Sequence, residues 1–344
     1  MTAAGGAGGS YIGEASSGTA TIGAGGSGIF NTGINTQISE STITAGSSGN
    51  ITANANGTRS IRIGSDTGIA TIDAGGSGIF NTGINIQVSN NTVIGGSSGT
   101  MTADYTGTAT VYVGADGTAT TANAGDAIFT TTNSSGTITD CILSTTNGGS
   151  VNVFTTGSKY GSADGSSGGN GINCYAASNL QIVNCLVKQT GNGGNGFRGT
   201  SEQNPSYPGN GGNGGNGILV KSNCTNTQIA NCTISNTGVG GATGGSPATN
   251  GNGGHGIIAL GQKTQINNNT IAYTGSSIDA LASGLAISCT DAVASAVYGN
   301  MAHNIAASTA YFLAGTFPNS CAVDSTSGTA FTTITYPLQN IYKP

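Results

Sequence analysis

Fifty residues separate two copies of one eleven-letter word, GGSGIFNTGIN, at 25–35 and 75–85. Downstream, TQISESTI (36–43) returns as IQVSNNTV (86–93) and, more worn, as GTITDCIL (136–143). Upstream, GTATI (18–22) returns as GIATI (68–72) and GTATT (117–121). A fixed period with apolar residues at alternate positions means one supersecondary unit stacked on copies of itself and stabilised by its neighbours. The chain therefore reads as all-β and as one elongated domain, although 344 residues would be enough for two globular ones.

Composition agrees with a pleated, half-buried surface. Ile, Val and Thr fill short alternating runs, so the 62 glycines and 6% charged residues do not imply disorder. The eight Lys and Arg residues are scattered and the net charge is −5, which leaves no basic stripe to neutralise phosphates. No nucleic-acid partner is expected. No apolar run reaches the roughly 18 residues of a membrane span, and no basic-then-apolar leader follows Met1. Membrane insertion is not expected either.

The strand word continues through the second half as LQIVNCLV (180–187), TQIANCTI (227–234) and TQINNNTI (264–271), each after a Gly-Ile start at 171, 217 or 256. Between them, glycine-rich stretches follow QTG (189–191), NTG (236–238) and YTG (273–275). They read as insertions that leave one corner and lie side by side, as on the binding face of a solenoid. The expected organisation is a repeat body over 1–310, regular to about 150 and loop-bearing over 151–310, then a terminal cap or assembly segment over 311–344. One column, Glu40, Asn90, Asp140, Asn184, Asn231 and Asn268, reads as a structural ladder whose amides bond from rung to rung. Cys141, Cys185 and Cys232 follow in the next column, either as buried thiols or as disulfides between adjacent rungs.

A Gly-Ile start followed about nine residues later by N/T-x-I-x-N-x-T-I resembles the right-handed parallel β-helix of the pectin-lyase-like superfamily. Gly217-Ile218 with 227–234 is the clearest copy, and Gly256-Ile257 with 264–271 the next. The resemblance spans roughly residues 18–310 and implies a single-stranded right-handed parallel β-helix, a β-solenoid with glycine-rich loop insertions in its second half. The 50-residue block then divides into two rungs of about 25 residues each. Members of that superfamily include polysaccharide lyases, glycoside hydrolases, tailspikes and adhesins, so the likeness implies fold more than activity.

An enzyme of this kind needs acidic calcium ligands with a Lys or Arg base, or paired carboxylates about 5–9.5 Å apart. Here no two acidic residues lie within three positions of each other, and the candidates Asp66 with Asp116 and Asp73 with Asp126 fit loop-capping roles. No CxxC pair, Cys/His cluster or tandem GGxGxD repeat is present. No catalytic residue, metal or cofactor is expected. The side chains able to bind a ligand on the insertion face are Arg198, Glu202, Tyr207 and His255. The first expectation is an extracellular or cell-surface structural or adhesive solenoid, partnered by other copies of itself, end to end or laterally, in a fibre. The alternatives are a polysaccharide-degrading β-helix or tailspike-like depolymerase, and a non-catalytic module that binds surface glycans.

Overall fold

The computed structural model describes residues 2–4, 11–12, 19–55, 61–63, 69–105, 111–113, 118–131, 134–154, 159–198, 208–246, 248–278, 283–288, 296–303, 305–306, 313–314 and 341–343. All regular structure among them is strand, arranged in stacked sheets whose strands pair in parallel except Phe197–Arg198, which is antiparallel to Ser162 and Ala163; the arrangement is compatible with a β-solenoid. Each GIF word opens a strand of an eight-stranded first sheet, beginning with Ile29–Asn31 and Ile79–Asn81. The TQIS word gives the seven-stranded second sheet, and the STIT word the nine-stranded third. Nine strands at about 4.8 Å make a stack about 40 Å deep.

The register corrects the expected division of the repeat. Ile79 pairs with Ile29, Val88 with Ile38 and Val93 with Ile43. One coil is therefore the whole 50-residue block, not half of it. Within a coil the chain traces the three main sheets, whose inward residues Ile43, Val88, Val93, Ile138, Ile182, Ile229 and Ile266 are all fully buried in one continuous core. It then traces a second lobe of three shorter sheets, including Ile51–Ala55, Ile61–Ile63 and Ile69–Ile72. Two glycine strips join the lobes, one entering the first sheet and one leaving the third.

These strips run antiparallel and bond to each other in alternation up the stack. The N–H of Gly46 donates to Gly26 O at 2.8 Å, Gly76 to Gly46 at 2.9 Å, Gly96 to Gly76 at 2.8 Å and Gly125 to Gly96 at 2.7 Å. In later coils the three-residue period is explicit. Gly212 and Gly215 donate to Gly194 and Gly191, and Gly238 and Gly241 donate to Gly215 and Gly212. A second set of N–H groups bonds within a strip, Gly165, Gly168 and Gly171 donating to the carbonyls of Asn210, Asn213 and Asn216. The third set finds side chains: Asn210 N–H donates to Asp164 Oδ1, Asn216 N–H to Asn170 Oδ1 and Asn252 N–H to Asn213 Oδ1. Three residues per repeat, with every backbone bond leaving the segment, is the habit of a polyproline II-type chain. It satisfies the buried donors as completely as a sheet would.

The glycine-rich stretches at 191–196, 208–217, 238–244 and 251–256 are thus not loops leaving a corner. They continue the strips that the first half already carries at 25–28, 45–49, 75–78 and 95–99. What changes is the second lobe. The bonds between adjacent coils span 50 residues at Asn31–Asn81, 47 at Asn192–Val239, 39 at Asn213–Asn252 and 31 at Asn269–Asn300. By the coil of residue 243 the second lobe has shrunk to a turn that Asn250 closes on the Thr243 N–H, at 2.9 Å. Of the expected terminal segment 311–344, only 313–314 and 341–343 are described, and they extend the first and third sheets.

Both halves of this packing are testable by denaturant unfolding. Ile182→Ala removes a fully buried side chain and is expected to cost about 2–5 kcal/mol, whereas exposed Gln181→Ala stays within about 0.5 kcal/mol. In the strips, a Cβ on Gly215 would lie 1.9 Å from Gly169 O, while one on Gly23 meets nothing within 4 Å. Gly215→Ala should destabilise by more than about 4 kcal/mol and Gly23→Ala should be nearly silent.

Candidate functional site

Of the ligand-binding candidates, Arg198 and His255 lie within the described residues, and the hydrogen bonds they make there share no partner. Arg198 is exposed and its Nη1 donates to Ser246 O at 2.9 Å, next to the antiparallel pairing of Phe197–Arg198 with Ser162 and Ala163. His255 bonds instead to Asn216 and Leu285. Glu202 and Tyr207 lie outside the described residues, as do Asp66, Asp116, Cys289 and Cys321.

His255 ends a polar ladder that climbs one glycine strip. Asp126 Oδ1 accepts from Asn170 N–H and Nδ2, both at 2.8 Å, and Asn173 Nδ2 donates to Asp126 Oδ2 at 2.9 Å. Asn170 Oδ1 accepts in the same way from Asn216 N–H and Nδ2, at 2.9 Å each. Asn216 Oδ1 accepts from His255 N–H at 2.8 Å, and His255 Nδ1 accepts from Leu285 N–H at 2.9 Å. Burial pushes the Asp126 carboxyl up from its ordinary range, against the pull of these donors. Burial pushes His255 down to about 4, so the ring is neutral and carries its proton on Nε2.

The column Glu40, Asn90, Asp140, Asn184, Asn231 and Asn268 occupies the corner between the second and third sheets, with φ between 52° and 55°. That left-handed conformation is what the corner asks of these side chains, since Asn and Asp tolerate it best. The bonds from coil to coil here are made by backbone: Glu40 N–H donates to Ser89 O and Asn90 N–H to Thr139 O. Side-chain amide bonds lie one residue later. Asn91 Oδ1 accepts from Ser41 N–H and its Nδ2 donates to Ile38 O, both at 2.9 Å, while Asn269 Nδ2 donates to Asn300 Oδ1 at 2.9 Å. Cys141, Cys185 and Cys232 fill the same inward column as buried free thiols set against backbone carbonyls, Cys141 Sγ at 3.1 Å from Thr139 O and Cys232 Sγ at 3.4 Å from Ala230 O. Hydrogen bonding to Cys185, then burial, pushes the Cys141 thiol up, and burial does the same to Cys174. Thiols raised in this way are poor nucleophiles, whereas hydrogen bonding to Cys185 pulls the Cys232 thiol down.

Two open grooves cross the coils among the described residues, and Lys263 is the one charged side chain along either. One, of about 510 Å³, runs over the second sheet between Gln181, Gln228 and Gln265 and the corner residues Asn179, Asn226 and Lys263. The other, of about 540 Å³, lies where the third sheet passes into its glycine strip. Its floor is a column of buried threonines that lock the strips together. Thr145 Oγ1 donates to Gly169 O at 2.6 Å and accepts from Gly191 N–H at 3.0 Å. Thr190 and Thr237 repeat the pattern, donating to Gly215 O and Gly254 O and accepting from Gly238 and Gly275 N–H, each at 2.8 Å. Its rim holds Gln189, Asn236 and Tyr273, equivalent residues of three successive coils, all with positive φ. Among the described residues no group of three His, Cys, Asp or Glu side chains could hold a metal ion. Compared with known proteins, the chain matches no family model, no curated protein sequence and no solved structure.

The histidine end of the ladder gives a pH signature. With its folded value near 4 and an ordinary value near 6.5, His255 contributes stability that is complete above about pH 6.5 and is lost as the pH falls through 4. Across that window the loss amounts to about 3 kcal/mol. His255→Asn keeps an acceptor for Leu285, as Asn216 does one coil earlier, and should remove this dependence. Thermal melts of both proteins between pH 7 and 4 measure it; parallel losses would show that His255 is not the titrating group.

Proposed function

We propose that the chain is a single-stranded right-handed parallel β-helix of the pectin-lyase-like kind, acting outside the cell as a structural or adhesive solenoid that adds end to end into a surface fibre. The observation that carries this reading is the first coil. Among the described residues the strands Ile29–Asn31 and Gln37–Ser39 are outermost in their sheets, while the third sheet beside them continues to Thr2–Ala4. Phe30 is 64% exposed and Ile34 70%, against 48% for Ile84 one coil further in. Phe30 already stacks on Phe80 at 5.3 Å, and Phe80 packs tilted against Phe129 at 5.0 Å, so the outer face of Phe30 is a template for one more ring. An open strand edge of this sort must be covered or paired. A second copy supplies what it needs: strands of the same repeat, in parallel.

Negative-stain microscopy and concentration-dependent light scattering test the reading. The parent chain should form filaments one solenoid wide. Phe30→Glu places a charge on the open edge without touching the buried core, and should yield dispersed protein whose stability falls by no more than the about 0.5–1.5 kcal/mol of the lost Phe80 stack. Dispersed monomers of the parent at high concentration would count against assembly.

A further inference from the structure

The Asn173 carboxamide is bonded through one end alone. Its Oδ1 is fully buried and accepts from no described residue, whereas its Nδ2 donates to Asp126 Oδ2 at 2.9 Å. Buried polar atoms of a folded chain are nearly all bonded, so an orphan acceptor asks where its donor is. Asn173 lies on the outward side of the strand Ile172–Cys174, between two inward residues that are fully buried.

A donor stands on the next coil. Asn173 pairs with Leu219, and Lys221 N–H donates to Cys174 O at 2.9 Å, so the parallel pairing carries on to Lys221. Alternation puts Asn173, Leu219 and Lys221 on one face. A diagonal neighbour two residues on lies about 7–8 Å away, within reach of a long side chain. Lys221 is half-buried, and its ammonium makes no hydrogen bond or ion pair with any described residue. Leu219 is only 8% exposed although it faces outward, so this stretch of the outer face is closed to water.

Asp126 completes the set from the coil before. It is buried, with Oδ1 taken by Asn170 and Oδ2 on the Asn173 amide nitrogen. Burial pushes its carboxyl up, against the pull of those donors and of the Lys221 charge. A carboxyl seated on the amide nitrogen, and able to hold or release its proton there, is a proton carrier.

We propose that Lys221 and Asn173 condense into an intramolecular amide that ties adjacent coils together, with Asp126 as the catalytic acid–base group. Lys221, as the neutral amine, attacks Asn173 Cγ, and the Nζ–Cγ bond forms as the Cγ–Nδ2 bond breaks. Asp126 takes a proton from the attacking nitrogen and returns one to Nδ2, which leaves as ammonia. The proton that the lysine first gave up ends on that ammonia as ammonium. No oxidant, water or cofactor enters the balance. Amine, amide and carboxyl on three successive coils have the proximity that free lysine and asparagine lack. The bond lies within one chain, so it stands whether or not the copies assemble.

Intact-mass spectrometry of the folded chain, followed by a peptide map, is the test. The parent should be lighter than its sequence by one ammonia. Its map should contain a branched peptide that joins the segments carrying Asn173 and Lys221. Lys221→Arg should run at full sequence mass and give no branched peptide. Asp126→Asn keeps an oxygen acceptor for Asn170, as Asn170 does for Asn216, so it should fold and also stay at full mass. Circular dichroism of each protein checks that the sheets have formed. A folded parent at full mass would overturn the proposal. So would an ammonia deficit that survives Lys221→Arg, since succinimide formation at an Asn-Gly pair such as Asn192-Gly193 removes the same mass. A branched peptide in Asp126→Asn at the parental yield would overturn the role given to Asp126.

Discussion

A carbonyl oxygen lies where a side chain would begin at repeated positions of both glycine strips. A Cβ on Gly212 would stand 2.0 Å from Ser166 O and one on Gly238 1.9 Å from Gly191 O. No rotamer relieves such a contact, because the obstacle is backbone. The rest of the architecture depends on this close approach. Strips that near can exchange hydrogen bonds directly, the Thr145, Thr190, Thr237 and Thr274 hydroxyls can zip them at their edge, and the two lobes need no apolar layer between them. Collagen uses glycine at every third position for the same steric reason.

The strips also explain how the coil can shorten without losing its fold. The first sheet keeps its pairing from Ile29 to Ile287, and the second shifts register once, between Ser134 and Gly136, while the second lobe contracts to a turn. A solenoid whose coils share only nearest-neighbour contacts tolerates such loss, provided that each coil still presents the same surface to the next. Here that surface is the apolar core of the first lobe together with the paired strips. Polar groups are handled by repetition: Asp126, Asn170, Asn216 and His255 each accept from the coil above, so a single geometry satisfies four different side chains.

Much of the strand architecture was legible because apolar alternation and the 50-residue word report directly on the pleat and the stack. Alternation along TQIANCTI puts Ile229 and Ile234 on opposite sides of one strand; the corner at Asn231 divides the word into two strands and turns both inward. The glycine strips could not be placed from spacing, since glycine and asparagine signal turns in most settings. The signal that could have found them is the three-residue period of GNGGNG at 191–196, read with the collagen rule rather than the loop rule. The corner column reads as an amide ladder because stacked Asn suggests it; the positive φ that favours Asn and Asp there, and that Glu40 also adopts, becomes visible only with the backbone. Tyr273 drew no attention in the sequence for the same reason. A tyrosine between Ala272 and Thr274 is unremarkable until its backbone conformation is known.

The central claim is that the glycine-rich stretches are interior structure, and amide hydrogen exchange measures it most directly. If the strips are bonded as described, the amides of Gly191, Gly212, Gly215 and Gly238 exchange as slowly as those of Ile182 and Ile229 in the core sheet, because both open only with the coil. Exchange of these glycines at the rate of unprotected surface loops, with the core sheet still protected, would contradict the account.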